Sequence, residues 1–143
     1  MSNTAPSVTR RSIVLLPVAA AAWFVLARDR TSDFKVPEVD LAQGREMFDA
    51  GSLILDVRQP DRYEYRHIVG ALLMPLATLQ SAIPAALAYA KTLPILVYCG
   101  DGLTIGPEAT HILNRAGFAG AVNLTAGIEG WAAAGYPVKK AAA

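Results

Sequence analysis

Two short runs constrain this chain most: Leu53-Ile-Leu-Asp-Val57 and Ile95-Leu-Val-Tyr-Cys99, each closed at once by turn-forming residues. Runs this short and almost wholly apolar suit strands buried on both faces. Such strands need a covering layer above and below, and the intervening segments can supply it. Asp40 is an N-cap for a helix through Leu41, Met47 and Phe48, stopped by Gly51. Gln59-Pro60-Asp61 breaks the first strand. A helix is predicted over Leu79 to Lys91, with Pro84 arguing for an interruption or a late start. Pro107 fits the first turn of a helix through Ala109, Ile112 and Leu113, ended by Gly117. Ala121 to Leu124 reads as a third strand and Ile128 to Ala134 as a last short helix. Strands alternating with helices imply an α/β fold, a parallel sheet covered on both faces.

The N-terminal part has a different character. Arg10 and Arg11 precede the uncharged stretch Ile13 to Ala27, and Arg28, Asp29 and Arg30 end it. A basic region, an apolar region and then small residues (Val25 and Ala27) is the order of a secretory signal. Thr9 to Val14 also resembles a twin-arginine export signal. The run is about 15 residues, roughly 22 Å as a helix, against a bilayer core of about 30 Å. Snorkelling by Arg11 and Arg28 narrows that gap. Residues 1–30 are thus expected to be an apolar helix that is a cleaved signal or a membrane anchor. The protein is then exported, periplasmic or anchored facing the periplasm. A core helix is the poorer reading, because the run is apolar on every face. Residues 31–36 form a linker and 37–139 the folded domain.

Net charge is +1, from 13 basic and 12 acidic residues, which gives no reason to expect a nucleic-acid partner. One cysteine excludes an internal disulfide, a CxxC pair and a multi-thiolate metal site. His67 and His111 make no convincing zinc site, so neither metal nor cofactor is expected.

Cys99 ends a buried strand and opens a tight loop, with a helix starting about six residues later. Ligands of parallel α/β sheets bind at the carboxyl ends of the strands. The loop Cys99-Gly100-Asp101-Gly102-Leu103-Thr104 can aim several backbone N–H groups at one point, and the next helix adds the positive end of its dipole. Such a nest stabilises an anion, including a thiolate. The competing reading is a buried, inert cysteine.

Several motifs, in order, resemble the rhodanese, or thiosulfate sulfurtransferase, superfamily. They are Leu55-Asp-Val-Arg58 with Tyr63, His67-Ile-Val-Gly-Ala71, Met74-Pro-Leu76, Val97-Tyr-Cys-Gly-Asp-Gly-Leu-Thr104, Val122-Asn-Leu124, Gly127-Ile128, Gly130-Trp131 and Gly135-Tyr-Pro-Val138. The resemblance covers roughly Val39 to Val138. It implies a single-domain member in which Cys99 takes sulfur from a donor as a persulfide and passes it to a thiol or cyanide. The loop amides would hold the persulfide, and no cofactor would be needed. Partners would be small sulfur donors and thiol acceptors, protein thiols among them, with a membrane added if residues 1–30 are retained. The related phosphatases have a loop one residue longer that ends in arginine. Ile105 stands there, so phosphoryl chemistry would lack its guanidinium grip.

The loop is similar to the Cys-Gly-Ser-Gly-Val-Thr loop of mercaptopyruvate sulfurtransferases, with Thr104 where many single-domain members have arginine. Asp101 replaces a neutral or basic residue and should repel dianionic thiosulfate. Arg62 stands in place of an acid that would pair with an arginine such as Arg58, a role left to Asp61 or Glu64. Arg66 replaces a glycine, and Ala126 the first glycine of a pair. Asp56 and Arg58 are read as supporting residues, an ion pair or loop hydrogen bonds near the active face. His67 is read as structural, since a thiolate needs no base. His111 is read as a satisfied or solvated histidine, and Trp131 as core packing. Tyr98 should point to the face opposite Cys99. The alternative to an enzyme is a binding or sulfur-relay module tethered at a membrane.

Overall fold

In the computed structural model of the protein, residues 32–142 are described. The apolar run, and the signal or anchor reading built on it, lies outside them. Among the described residues no helix is long and apolar enough to cross a membrane.

Strand β1 (Glu38–Val39) leads into α1 (Leu41–Asp49). Asp40 caps α1 reciprocally: its carboxylate accepts from Gln43 N–H, and the Gln43 amide oxygen accepts from Asp40 N–H. Next come β2 (Leu53–Asp56), α2 (Pro60–Tyr65), β3 (Arg66–Ile68), β4 (Leu72–Leu73) and α3 (Leu76–Ser81). A 3₁₀ segment (Ala85–Thr92), β5 (Ile95–Tyr98), α4 (Ile105–Arg115), β6 (Ala121–Leu124), α5 (Gly127–Ala133) and β7 (Val138–Lys140) complete the order.

Five strands form one parallel sheet in the order β1-β6-β5-β2-β4. β3 and β7 pair antiparallel as a separate ribbon. Side chains alternate across the sheet and divide the core. On one face Leu55, Val57, Val97 and Cys99 pack with Leu79, Leu87, Ala109 and Leu113 from α3, the 3₁₀ segment and α4, and with Phe118 after α4. On the other, Ile54, Leu96, Tyr98 and Leu124 pack with Ile128 and Trp131 of α5 and with Met47 and Phe48 of α1. The expected α/β fold, a parallel sheet with helices on both faces, is the fold observed.

One expectation is corrected. Gln59-Pro60-Asp61 does end β2, but it also opens α2, because proline at the first helical position loses no hydrogen bond there. The interruption expected at Pro84 in the helix over Leu79–Lys91 is present, and the segment is two pieces. α3 begins at Leu76 and stops at Ser81; Ala82, Ile83 and Pro84 intervene; the remainder is 3₁₀. Pro84 has no N–H to continue α3, so the chain restarts with tighter turns. β3, β4 and β7 are too short to carry a periodic signal.

A polar knot joins three segments across the sheet end. Tyr98 Oη donates to Asp56 Oδ2 at 2.7 Å and accepts from Ile68 N–H at 3.1 Å. Arg58 donates to both Asp56 oxygens, and from Nη2 to the Arg66 carbonyl. Burial and the neighbouring Asp56 charge push the Tyr98 phenol well above its usual value, so Tyr98 stays a donor. Burial alone would weaken the Arg58 charge, but Asp56 outweighs it and holds the guanidinium above its ordinary value. Asp56→Ala should cost about 3–5 kcal/mol, since it leaves a largely buried guanidinium unpaired. Tyr98→Phe should cost about 1–3 kcal/mol, through the lost hydroxyl alone. Urea unfolding of both variants checks the order.

Candidate active site

Cys99 follows the last residue of β5 and is fully buried, with no solvent exposure. Its loop is shaped by where the peptide groups point. The Cys99 carbonyl accepts from Ile128 N–H at 3.0 Å, and the Gly100 carbonyl from Glu129 N–H at 3.1 Å. The Gly102 carbonyl accepts from Asn123 Nδ2 at 2.9 Å. Three loop carbonyls are thus held by α5 and β6. Gly102 N–H meets Cys99 Sγ at 3.2 Å.

Close approach of backbones makes this possible. Gly102 has φ +76°, and a Cβ there would collide with the Thr125 carbonyl. Gly127 has φ +56°, and a Cβ there would collide with the Gly100 carbonyl. In the first turn of α4, only the missing side chain of Gly106 leaves room for Cys99 Sγ beside Asn123 Oδ1. That Oδ1 is buried without a hydrogen-bond partner, while Nδ2 also reaches Glu38 Oε1 at 3.3 Å.

Asp101 occupies the mouth of the nest. Its Oδ1 accepts from Leu103 N–H at 2.9 Å and from Thr104 Oγ1 at 3.1 Å, and lies 3.6 Å from Cys99 Sγ. Partial burial works against the carboxylate, yet the Leu103, Thr104 and Cys99 hydrogen bonds outweigh it and lower its pKa. Thr104 Oγ1 lies 3.9 Å from Sγ. The side chain of Leu103 is exposed, and its carbonyl accepts from Ser32 N–H, so the start of the described chain crosses the loop.

Asp56 and Arg58 do not touch Cys99. They form an ion pair of 2.7 Å on the Tyr98 face of the sheet, the face opposite Cys99. Arg58 is therefore paired with Asp56 and not with Asp61 or Glu64; Asp61 faces Arg62 at 3.9 Å on the open surface. Arg58 also lines a cleft of about 260 Å³ with Arg62, Tyr65, Arg66, Gly100 and Glu129. His67 stacks on Tyr63 at 3.8 Å between centroids, and its Nδ1 lies 2.7 Å from the Tyr63 carbonyl. His111 packs against Phe34 at 4.9 Å. Trp131 is fully buried. No group of His, Cys, Asp and Glu among the described residues could hold a metal ion.

Asn123 was legible only as part of a closing motif. An asparagine alternating with buried apolar residues in β6 is the signal that could have singled it out, because a buried amide must find partners.

A lone cysteine on a glycine-built loop, at the carboxyl end of a parallel sheet, defines a rhodanese-like site. The family model "Rhodanese-like domain" matches residues 40–134. The thiosulfate sulfurtransferase GlpE of Coxiella burnetii is 38% identical over 81 residues, covering 57% of this chain and 72% of its own. The rhodanese-like domain of the Anabaena sp. Alr3790 protein superposes with TM-score 0.62 and 31% identity, over 74% of this chain and 80% of that one. The human single-domain sulfurtransferase TSTD1 superposes with TM-score 0.58 and 25% identity, over 69% and 97%. The chain belongs to the rhodanese-like family, and its likeness to sulfurtransferases supports that broad class of activity.

Gly102→Ala should open the loop. Urea unfolding should show a loss of about 1–3 kcal/mol, because alanine is strained at φ +76° and its Cβ meets the Thr125 carbonyl. The depressed Asp101 pKa means its bonds contribute above the unfolded carboxylate value and are lost as pH falls through the lower, folded one. In a pH titration by NMR, the Leu103 amide should move with a midpoint below about 3.9, the ordinary aspartate value.

Proposed function

We propose that the protein moves sulfane sulfur from a small donor to a thiol or cyanide through a persulfide on Cys99. The observation that carries this reading is the Gly102 N–H on Cys99 Sγ, within a loop whose Cys99, Gly100 and Gly102 carbonyls are held by α5 and β6. Amides so arranged stabilise S⁻ and S–S⁻ alike. The Cys99 thiolate attacks the outer sulfur of the donor, an S–S bond forms, and the donor's bond to that sulfur breaks with its electron pair. An acceptor thiolate then attacks the persulfide's outer sulfur and releases Cys99 as thiolate. The sulfur changes hands without an external oxidant or reductant.

Asp101 bears on the choice of donor by local competition rather than by its field. Its carboxylate already holds Leu103 N–H and the Thr104 hydroxyl, so an incoming anion must displace it. Thiosulfate, a dianion, is therefore the poorer donor, and mercaptopyruvate the better. Full burial of Cys99 favours one alternative, a module that is loaded only by a protein partner. The order of charge around residues 13–27 supports an exported or membrane-anchored location. Fractionation of cells into periplasm, membrane and cytoplasm tests that location, and a cytoplasmic pool alone would refute it.

Incubating the full chain with mercaptopyruvate or thiosulfate and weighing it intact should show the gain of one sulfur atom. The gain should be absent in Cys99→Ser and reversed by cyanide. No loading by either small donor would select the partner-dependent module. Asp101→Ser should raise kcat/KM for thiosulfate by about tenfold, the gain expected from removing one competing charged contact, while mercaptopyruvate changes less than about twofold. Equal changes for both donors would refute the role given to Asp101.

A further inference from the structure

The β3–β7 ribbon carries a charge arrangement that folding does not explain. Its register sets Arg66 directly opposite Lys140, and His67 opposite Lys139. Like charges directly opposite each other destabilise a strand pair. The ion pairs of the described residues are Arg45–Asp49, Arg58–Asp56 and the loose Arg62–Asp61, so neither Arg66 nor Lys140 takes part in one. Arg66 nonetheless lines the cleft shared with Arg62, the exposed Tyr65 and Gly100, where Glu129 is the one carboxylate. Arg58, also in the cleft, is already neutralised by Asp56. The Tyr65 carbonyl accepts from Ala141 N–H at 3.1 Å, which ties the end of the ribbon to α2 beside the cleft. One unpaired cation, Arg66, thus lines a concavity that reaches Gly100, the neighbour of Cys99, and Lys140 stands opposite it on the ribbon.

We propose that this cleft and the adjoining ribbon edge dock an acidic peptide segment of a protein thiol acceptor, and so bring its cysteine to the Cys99 loop. The proposal names the acceptor class for the sulfur-transfer reading and rests on that reading. The Arg66–Lys140 repulsion is relieved when carboxylates lie across the pair, and exposed Tyr65 offers a flat anchor at the rim. A concave, arginine-lined cleft suits a chain of carboxylates better than the planar surface of a bilayer. In the transfer step the peptide thiolate attacks the outer sulfur of the Cys99 persulfide. The new S–S bond forms as the old one breaks, and the electron pair stays on Cys99 Sγ.

The test uses the full chain and a labelled peptide whose central cysteine is replaced by serine and flanked by Asp and Glu. Its amidated counterpart carries Asn and Gln at the same positions. Fluorescence anisotropy should show the acidic peptide binding at least about tenfold more tightly than the amidated one, with the difference shrinking as salt shortens the Debye length. Lys140→Gln and Arg66→Gln should each shrink the preference severalfold; the first lies at a ribbon end where misfolding is least expected. Equal binding of the two peptides overturns the proposal, as does a preference that both variants keep. So does recruitment of phosphatidylglycerol vesicles that both variants weaken, without binding of the acidic peptide. Binding is read without any sulfur, so failure of docking and failure of persulfide loading are separate results. With loading established, the cysteine form of the acidic peptide should discharge the persulfide faster than its amidated form.

Discussion

Asp56 is fully buried, and its two oxygens accept from the Arg58 guanidinium, the Arg58 N–H and the Tyr98 hydroxyl. A carboxylate without solvent is tolerated only when its lone pairs are filled in this way. The consequence reaches well beyond the ion pair. Tyr98 directly precedes Cys99, so fixing its side chain on one face of the sheet fixes the direction in which Cys99 leaves on the other. Arg58 reaches on to the Arg66 carbonyl and anchors β3, which in turn carries β7. The Cys99 loop and the cationic cleft are thereby held in one frame by a single acid.

The loop itself is built by tethering its oxygens. Ile128 and Glu129, near the start of α5, hold the first two carbonyls, and Asn123 of β6 holds a third. The loop's shape around sulfur is a consequence of how tightly β6 and α5 press against it, which requires glycine at 102, 106 and 127. Asp101 then fills the nest from within the loop, so the resting site carries its own anion. Negative charge lies inside the loop and unpaired positive charge outside it, at the cleft. The first acts over hydrogen-bond distance on what the amides can accept. The second acts over a Debye length on what approaches.

The long strands and helices were legible because each carries a pattern of its own. Leu53–Asp56, Ile95–Tyr98 and Ala121–Leu124 are short apolar runs, and Asp40 with Gln43 is a complete capping box. The opposite faces of Tyr98 and Cys99 follow from the period of two. What was misread lies where tertiary contacts override local pattern. The interruption at Pro84 within Leu79–Lys91 is present, but the helix starts at Leu76 and its second part is 3₁₀. The segments β3 and β7 have three residues each and exist only because they pair with each other. The Asp56–Arg58 ion pair was legible from their places at the end of the first strand, and Asp61 and Glu64 take no part in it.

By itself the sequence determined the class of fold, the single sulfur of the site, the absence of any second thiol to pair with it and the loop that carries it. These follow from residue type, count and local period, which need no partner in space. Only the tertiary structure decided that Asp101 turns into the loop, that Asn123 and α5 hold the loop carbonyls, and that Arg66 faces Lys140 beside the cleft. Each of these depends on atoms far apart in the chain meeting across packed backbones, and no local pattern records such a meeting.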